Sequence, residues 1–523
     1  MRDWKFIAAI AALTIVAVVR VAATHRVFSA TVDEPIHIAS GYEWFRGELT
    51  TDMTHPPLAR VLAALPLRME GLPYPQPSGM VDRGNQLLYF GDRYVKNLAR
   101  ARMGNLVLLA VAIVSVAAWA RRVFPRAEAI AAAALFTAHP LLLGHAGLAT
   151  TDLAVAATLP LALLALDCWL EAPGFKRGIF LGIAIALGVL SKFSFFIFFP
   201  VCVVAMVFLR PIGPIRPIRL IGPIAVAFLL VWAGYRFDFR KPANVIEHGG
   251  EMLDWAAPAP LKPIARFLGS VPLPAPTLAI GMAQVKLHER LGHTAYLLGH
   301  ESRTGWWYYF PVVFFYKSPL PWLMLAAWGA IALMRNRNGA VFFACAAGIM
   351  LIAMTTSLNI GARHILPIVA PLSICAGFAV MQIWRSARDA FGRAALAGLL
   401  AWLVIGVSVE HPDYLAWYNE LAQPNPSWYA ADSNIDWGQD VLRLSKAVAE
   451  LHIDHLHGAF MNSTRLDAHG ISAEGLPREK VTGWVAASEN WLRFGEANHD
   501  YDWLSAYRPV RQVGKTIRLY YIE

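Results

Sequence analysis

The stretch Ala129–Leu166, AIAAAALFTAHPLLLGHAGLATTDLAVAATLPLALLAL, decides how the whole chain is read. It is close to twice the roughly 20 apolar residues that cross a bilayer core. Only His139-Pro140 and Thr150-Thr151-Asp152 interrupt it. Two membrane helices separated by a polar turn account for that pattern. Outward from it, similar blocks recur on both sides. The expected spans are roughly 6–24, 103–120, 127–143, 148–167, 177–191, 193–209, 219–236, 309–333, 340–357, 364–384 and 394–410. The run Gly178–Leu209 is also too long for one helix and is broken only at Ser191-Lys192. Of 523 residues, 57% are hydrophobic and 16% charged, against roughly 25% charged in soluble proteins. An ordinary soluble enzyme, a disordered chain and a disulfide-stapled scaffold are excluded. The four cysteines form no CxxC pair and read as small buried hydrophobes.

The positive charge tests the span count, because short cytoplasmic loops are rich in Lys and Arg. Every second connection is basic: Arg121, Arg122 and Arg126; Lys176 and Arg177; Arg210, Arg216 and Arg219; Arg335 and Arg337; Arg385, Arg388 and Arg393. The net charge of +10 is therefore topology, and nucleic acid is not an expected partner. The first apolar stretch is long enough to span and no small-residue cleavage site follows, so a retained helix with a cytoplasmic N-terminus is expected. Pro211–Pro217 (PIGPIRP) reads as a stiff cytoplasmic turn. The opposite side receives two loops, about 25–102 and 237–308, and a tail of about 411–523. The expected organisation is a transmembrane module over 1–410 and a small extracytoplasmic α/β domain over 411–523.

Nearly all the unusual polar residues fall on that outer side. Asp33-Glu34 follows the first span; adjacent carboxylates raise each other's proton affinity, which suits one to act as a base. A helix N-cap with an acidic first turn before Pro35 is the competing reading. In Asp52-Met-Thr-His55-Pro-Pro-Leu-Ala-Arg, the prolines open a helix on which Leu58, Val61, Leu62 and Leu65 repeat at helical spacing. His55 stands at the mouth of this amphipathic helix, which is expected to lie on the membrane. Asp152 begins the fourth span, and Lys192 sits at the turn between spans five and six, where a snorkelling role is the alternative. Lys317 lies inside the eighth span, and Arg363-His364 form an outer hairpin suited to an anionic phosphate. In Asp432-Ser-Asn-Ile-Asp436-Trp-Gly-Gln-Asp440 the side chains could instead cap the following helix. No GxGxxG, P-loop or HExxH is present. A transporter or flippase of a lipid-linked or anionic substrate is the alternative class. Its inverted halves with midplane polar residues are not seen here.

Taken in order, these motifs carry a family resemblance. Asp33-Glu34, His55-Pro-Pro-Leu, Thr151-Asp152, the Lys192 turn, Gly305-Trp-Trp-Tyr-Tyr-Phe-Pro with Lys317-Ser-Pro-Leu-Pro, Gly361-Ala-Arg363-His364-Ile-Leu-Pro and the 432–440 segment recur in sequence. The chain resembles the GT-C glycosyltransferases of the protein O-mannosyltransferase and aminoarabinose-transferase type, in particular their bacterial members. The resemblance implies a helical polytopic fold in the bacterial inner membrane, with the active site and C-terminus periplasmic. It implies inverting transfer of a sugar from a polyprenyl-phosphate donor to a lipid, glycan or protein acceptor. Asp33 would be the base, with Glu34 and Asp152 positioning acceptor, sugar or a cation. Arg363, His364, Lys192 and Lys317 would meet the donor phosphate, and His55, Asp432 and Asp436 would position acceptor or sugar. No cofactor is required; a divalent cation, if used, would fall to Asp33, Asp152 and His55.

Overall fold

The computed structural model describes residues 3–210, 218–387, 389–496 and 499–523. The Pro211–Pro217 turn with its Arg216, and Arg388, lie outside the described residues. Helices occupy all eleven expected apolar stretches. Five, Asp3–Ala22, Tyr94–Arg121, Asp152–Glu171, Ala362–Ser386 and Ala390–Val409, are long and apolar enough to cross a membrane by length and composition. Phe195–Leu209, Ile218–Gly234, Leu320–Leu333 and Arg337–Ala353 are shorter apolar helices. Ile7, Ile15, Val16 and Val19 on the first helix and Val404, Ile405 and Val409 on the last are all exposed. Apolar surface of that extent fits a lipid surround.

The breaks fall where the polar residues interrupt the runs. Arg126–Thr137 and Pro140–Ala146 bend by 64° at His139, because a residue before proline is pushed out of the helical region. Val189 ends one helix and Phe195 opens the next, leaving Lys192 in the turn. Two boundaries differ from expectation. The second span begins at Tyr94, because Asn97, Ala101 and Arg102 lie buried on a helix that rises above the apolar block. The eighth span is two helices, Tyr309–Tyr316 and Leu320–Leu333, because Pro319 lacks the donor that would continue the first.

The loop near 25–102 folds into the helices Glu34–Trp44, Pro57–Met69 and Met80–Leu88. Pro57–Met69 buries Ala59, Arg60, Ala63, Ala64 and Leu67, while Leu65 and Met69 are exposed. The tail carries a five-stranded sheet, in the order Ala473–Gly475, Leu456–Ala459, Gly483–Ser488, Ile517–Ile522, Arg511–Val513. The first three strands are parallel, Ile517–Ile522 runs antiparallel to them, and Arg511–Val513 runs antiparallel to Ile517–Ile522. The helix Val441–Glu450 packs Val441, Leu444 and Val448 into the same small core as Leu456, Ile517 and Leu519.

Candidate active site

The segment Ser29–Glu34 leaves the first helix and is held from two sides. Ser29 donates from its backbone N–H to Gln439 O and Val32 from its own to Trp437 O, each at 3.0 Å. On the other side Glu34 turns inward and is wholly buried against Arg102, with Nε–Oε1 and Nη2–Oε2 both 2.8 Å. Glu34 also accepts from the N–H groups of Thr31 (2.8 Å) and Ala149 (2.7 Å). The Arg102 guanidinium donates its remaining protons to the carbonyls of His25, Phe28 and Ser29. Burial works against the Glu34 charge, but Arg102 and the amide donors outweigh it and hold its carboxyl below the usual range. Two expectations are corrected here. Glu34 has no lone pair to spare for a substrate, and the two adjacent carboxylates do not share a site, because consecutive residues at a helix start point in different directions.

Asp33 is the less constrained of the two, with a single ion pair and a side chain 29% exposed. It precedes the helix Glu34–Trp44 without making a side-chain cap, so capping does not account for it. Its Oδ2 accepts from Arg363 Nη1 at 3.2 Å, and the same nitrogen is 3.9 Å from Asp152 Oδ2. Lys192 Nζ lies 2.5 Å from Asp152 Oδ1. Two carboxylates and two cations thus alternate in one chain of contacts, drawn from four distant parts of the sequence. The Asp33 side chain is 29% exposed and that of Asp152 only 2%. Asp152, gripped by both cations, aligns them; Asp33 keeps access to a ligand.

The Arg363 turn is built by the tail. Gly361 has φ +134°, and a Cβ there would come within 2.5 Å of Ser433 Oγ. Ser433 Oγ donates to Ile360 O (2.6 Å), and Asn434 Oδ1 accepts from the Ala362 N–H (2.8 Å). The Arg363 guanidinium lies 4.0 Å over the Trp437 ring, a stacking that orients its planar fork. Asp432 Oδ2 lies 3.9 Å from His293 Nε2. Burial pushes the Asp432 carboxyl up, and nearby Arg363 offsets this only in part. The 432–440 segment is therefore no helix cap: Asp440 makes no side-chain cap to Val441–Glu450 and accepts instead from Arg443, Lys515 and Thr516. His364 adjoins the cluster, with its Nε2 buried and without a partner.

Two further expected site residues are placed elsewhere. Lys317 is buried, and its Nζ donates to Leu415 O (2.7 Å) and Asn434 O (2.6 Å) 4.4 Å above the Tyr418 ring. It ties the tail to the bundle and has no path to a phosphate, because two carbonyls and a ring face already solvate its charge. Asp436 is buried among Ser488, Gly438, Asp440 and Glu489, and burial pushes its carboxyl up to about 7. It belongs to the tail's interior, not to the cluster.

His55 meets neither Asp33 nor Asp152 in an ion pair; its Nδ1 lies 3.1 Å from Asp52 Oδ2, with His37 Nδ1 3.4 Å from the same oxygen. Asp33 and Asp152 already have Arg363 and Lys192 as counter-ions, so the cation set expected from sequence is not assembled there. His37 and Arg102 were not singled out from sequence, and Asn434 and Trp437 entered only as members of the 432–440 motif. For His37 a signal existed: it follows Asp33 by four residues, one turn along the same helix.

No curated protein matches the chain. The family described as dolichyl-phosphate-mannose-protein mannosyltransferase matches residues 94–235. Among solved structures, ArnT from Cupriavidus metallidurans is similar in its apo state at a TM-score of 0.52 and 13% identity, over 99% of this chain and 98% of that one. The same protein bound to undecaprenyl phosphate matches with a TM-score of 0.52 and 13% identity, over 98% and 97%. The chain is a multi-pass membrane protein with the GT-C glycosyltransferase fold, bearing over residues 94–235 the sequence pattern of the dolichyl-phosphate-mannose-protein mannosyltransferase family.

Proposed function

We propose that the chain is an inverting glycosyltransferase that moves a sugar from a polyprenyl-phosphate donor to an acceptor hydroxyl on the extracytoplasmic face of a bacterial inner membrane. The observation that carries this reading is Arg363 held between Asp33 and Asp152, with Lys192 on the far side of Asp152. It is supported by the GT-C fold and by the undecaprenyl phosphate bound to a protein of the same fold.

In the chemistry that follows, the donor's phosphate approaches Arg363 and Lys192, two preorganised cations beside an apolar bundle. As the phosphate engages Arg363, Asp33 gives up its ion pair and its carboxylate is released to accept the acceptor's hydroxyl proton. The acceptor oxygen bonds to the anomeric carbon while the bond from that carbon to the phosphate oxygen breaks. The electron pair stays on the departing polyprenyl phosphate. Negative charge gathers there in the transition state, where cations fixed in advance stabilise it more than they stabilise the ground state. Asp152 keeps Arg363 and Lys192 aligned throughout.

The test is transfer of radiolabelled sugar from synthetic polyprenyl-phosphate sugars to membrane extracts by the purified protein. Transfer that disappears in Asp33→Asn, with donor binding retained, is expected. Binding without transfer in the wild-type protein, or net movement of the lipid across vesicles, would favour the transporter class. Sidedness is read by labelling single cysteines: one at Arg122 from the cytoplasm only, and ones at Gly84 and Asp467 from outside only.

A further inference from the structure

A second group of ionisable side chains lies beside the Asp33 cluster and plays no part in that chemistry. His37 sits on the helix Glu34–Trp44, whereas Asp52 and His55 lie in the connection leading to the helix Pro57–Met69. Their Nδ1, Oδ2 and Nδ1 atoms come together, with His37–Asp52 at 3.4 Å and His55–Asp52 at 3.1 Å. One ligand atom from each of the three can be chosen so that all lie within 4.8 Å of one another. Atoms bound 2.0–2.1 Å from a tetrahedral zinc ion stand about 3.3 Å apart, so both measured pairs have the separation of ligands on one ion. Among the described residues this is the one such group of three or more.

A second observation points the same way. His37 Nδ1 is buried in a residue only 2% exposed, and its 3.4 Å approach to Asp52 Oδ2 is too poorly aligned to make a good hydrogen bond. A buried imidazole nitrogen left unsatisfied costs free energy unless something binds it. Other contacts to the group are the Thr54 hydroxyl, 2.8 Å from Asp52 Oδ1 and 3.1 Å from His55 Nδ1, the Thr54 N–H, which donates to Asp52 Oδ1 at 3.0 Å, and Arg60 Nη1, 3.9 Å from Asp52 Oδ2.

We propose that His37, Asp52 and His55 form a binding site for one divalent transition-metal ion of the zinc class. Two imidazoles and one carboxylate are the ligand set of zinc sites that keep a fourth, open position for water or a substrate oxygen. The hard-cation alternatives, magnesium and calcium, prefer all-oxygen shells and are disfavoured by two nitrogens. Because His37 is one helical turn from Asp33, with its N–H bonded to Asp33 O at 3.1 Å, an ion held there would add its charge close to the transfer site. That last role rests on the proposed function; the binding itself does not.

The experiment uses the full-length protein in detergent, purified through a tag without histidine, stripped with EDTA and titrated with Zn2+ and Co2+. About one equivalent per chain should bind, Co2+ should give a visible absorption band, and Zn2+ should raise the melting temperature. His37→Gln and His55→Gln should each weaken Zn2+ binding by at least about tenfold, and His457→Gln, in the tail and paired with Glu474, should not. Binding unchanged in both His37→Gln and His55→Gln, or absent from a wild-type protein that still melts cooperatively, overturns the site. Sugar transfer that survives chelation without any binding also overturns it, while leaving the transferase reading in place. Stoichiometric binding lost in His37→Gln, in a protein that transfers no sugar, upholds the site and overturns the transferase reading instead.

Discussion

Asp33 and Glu34 are neighbours in the chain and opposites in the structure. Glu34 is closed into a knot with Arg102 in which every guanidinium proton has an acceptor and both carboxylate oxygens are used. Asp33 makes one ion pair, to Arg363, and keeps part of its surface open. The two contacts differ less in strength than in saturation. A charge whose partners are complete and dry holds a fold together, because nothing else can approach it. A charge with one exchangeable partner can trade that partner for a ligand. Lys317 and Lys192 repeat the contrast among the cations: the first is saturated by carbonyls, the second is bound to one carboxylate at the rim.

Substitution separates the two kinds of site. Asp33→Asn should lower transfer by roughly 10²–10⁴-fold with a melting temperature near that of wild type. Substantial transfer by Asp33→Asn would remove Asp33 from the chemistry. Glu34→Gln should do the reverse, costing about 3–5 kcal/mol by leaving Arg102 buried without its counter-charge; thermal melts and expression level read this directly. Equal stability in Glu34→Gln with lost activity would erase the contrast between the two residues.

Arg363→Lys comes next in size. A lysine retains the charge but not the two-pronged grip or the stacking on Trp437, so kcat should fall about tenfold or more while folding persists. Lys317→Met, by contrast, should leave donor KM unchanged and destabilise the attachment of the tail by about 1–3 kcal/mol, since two buried carbonyls lose their donor. A rise in donor KM for Lys317→Met would return it to the phosphate site.

The last effect is expected from pH, spread gradually over several units. With its carboxyl pushed up to about 7 against about 3.9 in an unfolded chain, Asp436 takes up a proton on folding between those values. Stability from this group is therefore complete below about pH 4 and is lost as pH rises towards 7, with a slope of at most about 1.4 kcal/mol per unit. Asp436→Asn should flatten that slope in melts between pH 5 and 8. An unchanged slope would assign it to another group.

The membrane fold was legible because it follows from local pattern. Apolar runs of spanning length, and breaks at His139-Pro140 and Ser191-Lys192, are properties of adjacent residues, and the helices end where those residues stand. Lys317-Ser-Pro319 falls inside one expected span, 309–333, but separates two helices in the structure, since sequence alone does not say how far a proline bends a run. Three of the five strands of the small C-terminal sheet are legible for the same reason, as the apolar runs His455–Phe460, Trp484–Ala487 and Thr516–Ile522. Asp33, Asp152, Lys192 and Arg363 could be named from sequence as unusual charges on one side of the membrane, but not shown to meet. Their meeting depends on contacts across hundreds of residues: Trp437 under Arg363, Asn434 on the Ala362 amide, Ser29 against Gly438. The same is true of what each charge is for. Charge and position are written in the sequence, whereas saturation is decided by which donors and acceptors the folded chain brings within 3 Å. That is why Glu34 and Lys317 read like site residues in one dimension and are part of the scaffold in three.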